Sequence, residues 1–479
     1  MLAQRGFSLE IDPVEVSDGL ASSSAVAVFN HGDAGLAACI SGYANVPQLI
    51  DHGVKIIVLC DAKDVPELVD ARFVPIGKDY PWKEKVVFIP DLQGVRLDEI
   101  TTYDPGSEWD GTEILLLGNY EPLNHEQKLL VDRAFPKAEE IHIRPLEGGF
   151  TESRVFMAYE RRRESSISHW TQPRLVKIGS REALAREVKA MREVSPFVPF
   201  ELRPNLEFYI EGFRSSVLVA DFVDKSDSLI DAARAGRAET AISNLFNRTL
   251  NRWRERAWRC DLSNEPLASA AMRLDMFKVE DIQREYLNTQ AIEDARLDFY
   301  GLWNELQAIA FKHRAATIHG DLHGDNVRVR GDDAILIDLG AVKGTDEPGK
   351  GAPLCFDVAM LDVALVFACT KADEDCGHSQ ETWEEEILPY YKLQAILSTP
   401  AIDGTSKLNS WLHGCLQRLR AFGIYDQSDR LEYPIAVAIA LWRWAKFESR
   451  SQADKRRRVV ALITGARLLK EILATKQQS

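Results

Sequence analysis

The sequence lacks an apolar segment long enough to cross a membrane as a helix. The longest late apolar run, Pro434 to Trp442, has nine residues, whereas a span needs about 20. The first residues of the sequence lack the basic start and apolar stretch of a signal peptide. Cysteine is scarce, with seven residues in the chain. Their odd number and wide spacing are typical of free thiols in a reducing compartment and not of a disulfide framework. These absences predict a soluble cytoplasmic protein with no membrane partner.

The sequence also lacks an excess of positive charge. It contains 73 acidic and 58 basic residues, and the formal net charge of -15 disfavours broad electrostatic binding to nucleic acid. Residues 1–139 contain 23 Asp and Glu against 11 Lys and Arg, a net charge of -12, so only -3 remains for residues 140–479. This change in charge predicts a domain boundary near residue 140.

Residues 1–138 have the pattern of a small, acidic α/β domain. The chain of 479 residues, 45% of them apolar and 27% charged, is long enough for several globular domains. Short β-branched runs alternate with helical stretches in this part, which predicts a largely parallel sheet. The predicted strands are Ala25 to Phe29, Lys55 to Cys60, Lys85 to Ile89 and Glu113 to Leu117, with helices over Val46 to His52 and His125 to Phe135.

The role of this first domain stays open in the sequence. Asp61 and Asp91 follow two predicted strands, where a parallel sheet binds its ligands. A phosphate-accepting receiver-like domain also needs a lysine at a later strand end, but Gly118 and Asn119 follow the fourth strand. The alternatives are a flavodoxin- or receiver-like domain, a sensing or docking domain for a protein partner, and a purely structural appendage.

A different pattern begins at residue 139. Residues 139–224 predict a five-stranded antiparallel sheet with one helix, Arg181 to Val194. Residues 225–479 are mainly helical and contain a short β island at residues 317–340. The predicted fold class is α+β. The predicted strands are Glu140 to Leu146, Arg154 to Tyr159, Arg174 to Ile178, Leu206 to Ile210 and Ser216 to Phe222.

The β island contains the residues that indicate chemistry. Residues 318–326 read IHGDLHGDN, and two apolar-alternating runs follow on either side of Gly-Asp-Asp. A hairpin centred on residue 332 would pair 330 with 334, 328 with 336 and 326 with 338. Asn326 and Asp338 would then be cross-strand partners, with Cβ atoms about 5 Å apart. An amide oxygen and a carboxylate at this separation are suitable ligands for Mg²⁺.

Asp321 lies five residues before Asn326, on a loop between Gly320 and Gly324. The two glycines permit a tight turn and a close approach of the backbone to a ligand. A carboxylate beside a metal pair can accept or orient a hydroxyl proton. Together these residues provide the groups that phosphoryl transfer requires.

These motifs, HGDLHGDN followed by IDLG at residues 337–340, resemble the catalytic and metal-binding loops of the aminoglycoside phosphotransferase and choline kinase-like family. The resemblance covers residues 140–479 and implies a bilobal protein-kinase-like fold. It implies an ATP-dependent phosphotransferase that moves the γ-phosphoryl group to a hydroxyl of a small molecule. In that assignment Asp321 is catalytic, and Asn326 and Asp338 hold Mg²⁺.

The resemblance also implies nucleotide-binding residues upstream. A Gly-containing turn, with Gly148 and Gly149, would cover the phosphates. Lys177 on a strand would hold the phosphates, with Glu187 of the following helix as its partner and Glu182 as a substitute. Independently of the resemblance, a lysine flanked by Val and Ile needs such a partner if it is buried. The inter-lobe connection, Val219 to Val223, would pair with adenine through the backbone of Ala220 and Val223.

Several residues near the motif have mainly structural interpretations. We expect His319 and His323 to form structural hydrogen bonds, and Asp325 to face solvent. Asp357 precedes a helical run and is expected to be an N-cap that supports the loop.

The chain also departs from true protein kinases. No Ala-Pro-Glu follows Asp338, and a Gly- and Pro-rich loop, Gly344 to Pro353, stands there instead. Two acidic runs, Asp373 to Asp375 and Glu384 to Glu386, are candidates for holding a cationic acceptor, although such runs are usually solvated surface. The alternative functions are a regulatory nucleotide-binding module and a protein kinase, each with an N-terminal domain that docks a partner protein.

Overall fold

The computed structural model describes the backbone of residues 26–30, 55–59 and 86–89 and most of the chain from residue 112 onward. The predicted helix Val46 to His52 and the acidic residues Asp61 and Asp91 lie outside the described residues. The later described ranges are 112–118, 120–146, 153–164, 167–211, 215–344, 351–368, 380–398 and 410–477.

Tertiary contacts divide the chain into two compact units. The first consists of Met1–Val188 and Asn205–Phe222, and the second of Lys189–Pro204 and Val223–Ser479. Both contain helices and strands, so the described residues form a mixed α and β structure with a large sheet and many helices.

The first unit begins with a three-stranded parallel sheet. Its strands are β1 (Val26–Asn30), β2 (Lys55–Leu59) and β3 (Val86–Ile89), in that order. Three of the four predicted strands of the first domain therefore pair in parallel, as β-branched runs separated by long connections predict.

The second sheet of this unit has seven strands and not the predicted five. The five predicted strands are present and pair antiparallel, but two further strands join them. One additional strand, from the predicted N-terminal domain, pairs in parallel with the first of the five predicted strands. The other forms a hairpin with the second predicted strand. The strands are β4 (Glu113–Leu116), β5 (Ala138–Pro145), β6 (Arg154–Glu164), β7 (Ile167–Trp170), β8 (Arg174–Ser180), β9 (Leu206–Glu211) and β10 (Ser215–Asp221).

Apolar burial explains why β4 joins this sheet. Helix α1 (His125–Ala134) follows β4 and packs against β9 and β10. Asn124 begins the helix with a capping box, because its side chain accepts the N–H of Gln127 and the Gln127 side chain accepts the N–H of Asn124. The core is continuous from helix to sheet and includes Leu130, Val131, Phe135, Ile141, Ile143, Phe156, Val176, Ile178, Val217 and Val219.

The second unit is mainly helical and starts within α2 (Arg181–Val194), which has the predicted bounds. In the described part of the chain, no helix combines the length and apolarity that a membrane crossing needs. The helices are α3 (Leu229–Arg234), α4 (Ala238–Asn244), α5 (Asn251–Arg259), α6 (Leu267–Arg273), α7 (Arg284–Leu287), α8 (Gln290–Ala295), α9 (Phe299–Gln307), α10 (Cys355–Phe367), α11 (Gln380–Ile387), α12 (Leu393–Ser398), α13 (Ser410–Asp426), α14 (Glu432–Trp444) and α15 (Gln452–Gln477).

Short strands connect these helices. They are β11 (Asp227–Ser228), β12 (Ser263–Glu265), β13 (Phe311–His313), β14 (Ala315–Ala316), β15 (Val327–Arg330), β16 (Asp333–Leu336) and β17 (Ala352–Pro353). A three-stranded sheet with the order β11-β15-β16 contains the predicted hairpin, and two small ladders pair β12 with β13 and β14 with β17.

A buried polar network joins α10 to two neighbouring helices. The carboxylate of Asp362 in α10 receives the guanidinium of Arg420 from α13, with an Nε–Oδ2 distance of 2.8 Å, and neither side chain is exposed. Tyr391 and Tyr433 each donate a hydroxyl hydrogen bond of 2.9 Å to the same carboxylate. Because a buried charge is costly unless it is paired and hydrogen-bonded, this network specifies how α10, α13 and α14 pack.

A second buried carboxylate lies at the start of α14. Glu432 accepts the backbone N–H of Ser428 at 2.7 Å and the thiol of Cys355 at 3.3 Å. Burial raises the pKa of Glu432 to about 7. Cys355 is one of three described cysteines, with Cys260 and Cys415, and all three are free thiols, as the odd count predicts.

The raised pKa makes the stability of the protein depend on pH. The folded state holds the Glu432 proton more tightly than the unfolded state, in which the carboxyl has its ordinary pKa of 4.5. This group therefore contributes its full stability below about pH 4.5 and loses it as the pH rises through about 7. A shift of this size corresponds to about 3 kcal/mol.

We predict that Glu432→Gln removes this pH dependence, since glutamine stays neutral and still accepts hydrogen bonds. Urea unfolding at about pH 5 and about pH 8 measures the change in unfolding free energy. The wild type should lose more stability over this interval than the variant. Glu305→Gln, at an exposed position of α9, is the control and should behave as wild type. Equal pH dependence in wild type and Glu432→Gln would contradict the assignment.

Candidate functional site

The hairpin that carries the predicted metal ligands has a two-residue turn. Arg330 pairs with Asp333, so Gly331 and Asp332 form the turn, and the predicted pairing of residue 330 with 334 was wrong by one residue. The physical reason is Gly331, which has a φ of +61° at the first turn position. Glycine adopts this conformation without strain, and such a turn closes a hairpin with two residues.

The corrected register changes the partner of Asn326. Its carbonyl accepts the N–H of Ile337 at 2.9 Å, so Asn326 lies opposite Ile337 and not opposite Asp338. Asp338 comes one residue later and adopts a left-handed conformation with a φ of +56°. The conformation ends the strand, and Asp adopts it more readily than most non-glycine residues. Both predicted ligands therefore stand at the open end of the same hairpin, without direct cross-strand pairing.

The side chain of Asn326 is buried and has a fixed orientation. Its Nδ2 donates to the carbonyl of Asp321 at 2.9 Å, and its backbone N–H donates to the carbonyl of His323 at 3.0 Å. Only 7% of the residue is exposed. The amide nitrogen is thus committed to the loop, and the oxygen, the atom that binds a cation, is not used in that bond.

The carboxylate of Asp321 is paired with an arginine from a distant helix. Nη2 of Arg443, in α14, lies 2.8 Å from Oδ1 of Asp321. His323 Nε2 lies 3.8 Å from Oδ2. Burial opposes ionisation of Asp321, but Arg443 and His323 outweigh it and lower the pKa of the carboxyl. Burial has the opposite effect on the imidazole of His323, whose pKa it lowers.

A buried carboxylate fixes the backbone before Asp321. Asp357 accepts the N–H of His319 at 2.7 Å and the N–H of Gly320 at 3.0 Å. Asp357 therefore supports the loop as predicted, but it is not an N-cap, because α10 begins at Cys355 and Asp357 lies within its first turn. It bonds to the loop and not to its own helix.

The two loop histidines form structural hydrogen bonds, as predicted. His319 contacts the carbonyl of Ile337 through Nε2 at 3.0 Å and accepts the N–H of Asp321 at Nδ1. His323 accepts the N–H of Asp325 at 3.3 Å. Asp325 is exposed, also as predicted. The imidazoles thus connect the loop to the hairpin and to itself.

The predicted lysine and glutamate of the first unit form a buried ion pair. Nζ of Lys177 lies 2.7 Å from Oε1 of Glu187, and the residues are 5% and 8% exposed. Val176 and Ile178 point into the core of the sheet, so Lys177 lies on its other face, where α2 supplies Glu187. The pairing is confirmed. A buried lysine paired with a carboxylate is a candidate phosphate-binding group.

The residues predicted to contact adenine are Ala220 and Val223, and both make structural contacts within the protein. Ala220 is buried in β10, and the carbonyl of Val223 accepts the Ser226 hydroxyl at 2.7 Å. Gly148 and Gly149 lie outside the described residues. So do Asp373 to Asp375, one of the two acidic runs proposed for a cationic acceptor.

The other acidic run contributes one described ion pair. Nε of Arg456 lies 2.7 Å from Oε1 of Glu384. Glu384 therefore pairs with another side chain of the protein, and whether the acidic runs serve a cationic acceptor stays a prediction.

One residue of the site could not be found from the sequence. Arg443 lies 122 positions after Asp321 and carries no motif. Its only signal was a charged residue at the end of the apolar run of α14.

Among the described residues, no group of three or more His, Cys, Asp or Glu side chains is arranged to hold a metal. A site with one carboxylate and one amide still suits Mg²⁺, which takes its remaining ligands from phosphate and water.

We predict that Asp357→Asn lowers the unfolding free energy by about 1–3 kcal/mol. The NH2 group of asparagine would face one of the two backbone N–H groups and cannot accept its hydrogen bond. Urea unfolding measures the loss. Asp261→Asn, at an exposed position, should be close to wild type. Equal stability of Asp357→Asn and wild type would show that the carboxylate does not hold the loop.

We predict that Gly320→Ala is more destabilising than Gly331→Ala. Both glycines have a positive φ, +79° and +61°. A Cβ at Gly320 would lie 2.2 Å from the carbonyl oxygen of Ala341, whereas a Cβ at Gly331 meets nothing within 4 Å. The left-handed cost of about 1–2 kcal/mol is common to both variants, and the clash adds about 1–3 kcal/mol at Gly320 alone. Equal unfolding free energies in urea would contradict this close approach.

Comparisons with known proteins place the chain in no family. No family model matches the sequence, and no curated protein matches it. Among solved structures, a thermostable mutant of aminoglycoside phosphotransferase APH(4)-Ia is similar at 9% identity and a TM-score of 0.38, covering 72% of this chain and 99% of that chain. A candidate fructosamine-3-kinase from Haemophilus somnus 129PT is similar at 12% identity and a TM-score of 0.35, covering 69% and 91%. TM-scores below 0.5 do not establish a shared fold.

Proposed function

We propose that this chain is a Mg-ATP-dependent phosphotransferase that moves the γ-phosphoryl group of ATP to a hydroxyl of a small molecule. The observation that carries the proposal is the bonding around one carboxylate. Asp321 sits on a loop held by Asp357, its carbonyl accepts the amide of Asn326, and its carboxylate is partly exposed beside Arg443. Such a fixed and ionised carboxylate, next to candidate metal ligands, suits the orientation of a nucleophilic hydroxyl.

Asn326 and Asp338 are the residues that would hold Mg²⁺. The nitrogen of the Asn326 amide is bonded to the loop, so its oxygen can serve as a metal ligand. Asp338 follows Ile337, the residue opposite Asn326, and its carboxylate is the second proposed ligand. Hard oxygen ligands of this kind, few in number, are what Mg²⁺ uses when it binds together with phosphate. A Mg²⁺ held there would neutralise negative charge on the phosphates.

Asp321 would act on the acceptor. In the transfer, a bond forms between the acceptor oxygen and the γ-phosphorus while the bond from that phosphorus to the β–γ bridging oxygen breaks. The acceptor hydroxyl loses its proton, and Oδ2 of Asp321 is the atom proposed to accept or orient it, because Oδ1 is bonded to Arg443.

The proposed nucleotide-binding roles rest on the motif resemblance. Lys177 would hold the nucleotide phosphates, and Glu187 would hold Lys177 in place. Gly148 and Gly149 are proposed to cover the phosphates, and the backbone of Ala220 and Val223 to pair with adenine. The acidic N-terminal part of the chain is proposed as a surface for a protein partner.

We predict that the purified chain hydrolyses Mg-ATP slowly and transfers the γ-phosphoryl group faster to a suitable hydroxyl compound. ADP formation, the product common to both reactions, is measured with water alone and with an amino alcohol, a sugar and an aminoglycoside. Asp321→Asn should lower turnover by at least about 100-fold, because it removes the group that orients the nucleophile. Mg-ATP binding, measured by calorimetry, should persist in this variant.

Asp261→Asn is the matched control and should keep wild-type turnover. Asp338→Asn should instead weaken Mg-ATP binding, because it removes a proposed metal ligand. Absence of Mg-ATP binding to the wild type would overturn the proposal. Binding without turnover by any acceptor would favour the regulatory nucleotide-binding module.

A further inference from the structure

The strongest unexplained contact of the loop is the ion pair between Arg443 and Asp321. The two side chains are 15% and 29% exposed, and Nη2 of Arg443 lies 2.8 Å from Oδ1. Both side chains are mostly buried, so each charge depends on the other for compensation. The pair also fixes the position of one oxygen of the Asp321 carboxylate.

The backbone around Arg443 is held by other parts of the second unit. Just after α14, Gln283 donates to the carbonyl of Lys446 at 2.8 Å, and Tyr286 donates to the carbonyl of Phe447 at 2.7 Å. Arg458 of α15 donates to the carbonyl of Trp444 at 2.6 Å. These bonds come from two separate regions of the chain, and they fix the end of the helix that carries Arg443.

The guanidinium itself has a second contact. Its central carbon lies 5.3 Å from the centre of the Phe447 ring, within the range of a cation–π interaction. The end of α14, the Phe447 ring and the Asp321 carboxylate together restrict the position of the guanidinium. Arg443 is thus presented to Asp321 in one orientation.

The bonds of Asp321 leave one carboxylate oxygen for a ligand. The backbone N–H donates to His319, the carbonyl accepts from Asn326, and Oδ1 accepts from Arg443. Oδ2 lies 3.8 Å from the His323 ring, which is beyond hydrogen-bond distance. The carboxylate therefore has one bonded oxygen and one available oxygen.

We infer that Arg443 is a positioning residue for phosphoryl transfer, which holds Asp321 so that Oδ2 meets the acceptor hydroxyl. The inference rests on the proposed function and assigns to it a residue that no motif contains. Arg443 acts through Asp321 and not on the substrate. Its loss should lower kcat and leave the KM for Mg-ATP unchanged, since no proposed nucleotide ligand is altered.

The test uses the full chain with Mg-ATP and water as acceptor, and phosphate release as readout. Arg443→Met should lower kcat by about 100-fold, the typical effect of displacing a catalytic group by about 1 Å. Arg443→Lys keeps the charge and should retain intermediate activity. Added methylguanidinium should restore part of the activity of Arg443→Met, a recovery that a merely structural role does not predict.

Arg430→Met is the matched control, because Arg430 is exposed just before the same helix. It should keep wild-type kcat and show no response to methylguanidinium. If the wild type is active and Arg443→Met keeps its kcat, the inference is overturned and the proposed function stands. If the wild type forms no ADP with water, an amino alcohol, a sugar or an aminoglycoside, both are overturned. If Arg443→Met does not fold, the kcat of Arg443→Lys is the test. A reduced kcat supports the inference, and a wild-type kcat overturns it.

Discussion

The backbone N–H groups of His319 and Gly320 both donate to one buried carboxylate, that of Asp357. This places the start of the loop against α10, and the left-handed Gly320 then brings the loop close to the carbonyl of Ala341. The position of Asp321 follows directly, and Asn326 reaches its carbonyl from the end of the same loop. The bonds from Asp357 are therefore the constraint on which the candidate site depends.

Helix α10 connects the site to the interior of the second unit. Five residues after Asp357, Asp362 receives Arg420 of α13 and the hydroxyls of Tyr391 and Tyr433. One helix thus carries one carboxylate for the loop and one for the neighbouring helices. Since α14 supplies Tyr433 to this network, the same packing orients the helix that carries Arg443. The site and the core share one set of buried polar contacts.

The sequence predicted what depends on local pattern. Lys177 within an apolar strand and Glu187 on the next helix could be paired because burial of a lysine requires a partner. The hairpin was also evident, but its register depended on the turn geometry at Gly331, and one residue of slip changed the partner of Asn326. The contact of Arg443 with Asp321 depends on tertiary packing over 122 positions, for which the sequence carries no local signal.

The central claim is that Asn326 and Asp338 hold a metal that binds together with ATP phosphates beside Asp321. Diffraction from crystals grown with Mn²⁺ and a non-hydrolysable ATP analogue tests it most directly, because Mn²⁺ gives an anomalous signal. We expect an anomalous peak bonded to the amide oxygen of Asn326, the carboxylate of Asp338 and the analogue's phosphates. A nucleotide bound without metal at these two residues, or a peak bonded to neither of them, would contradict it.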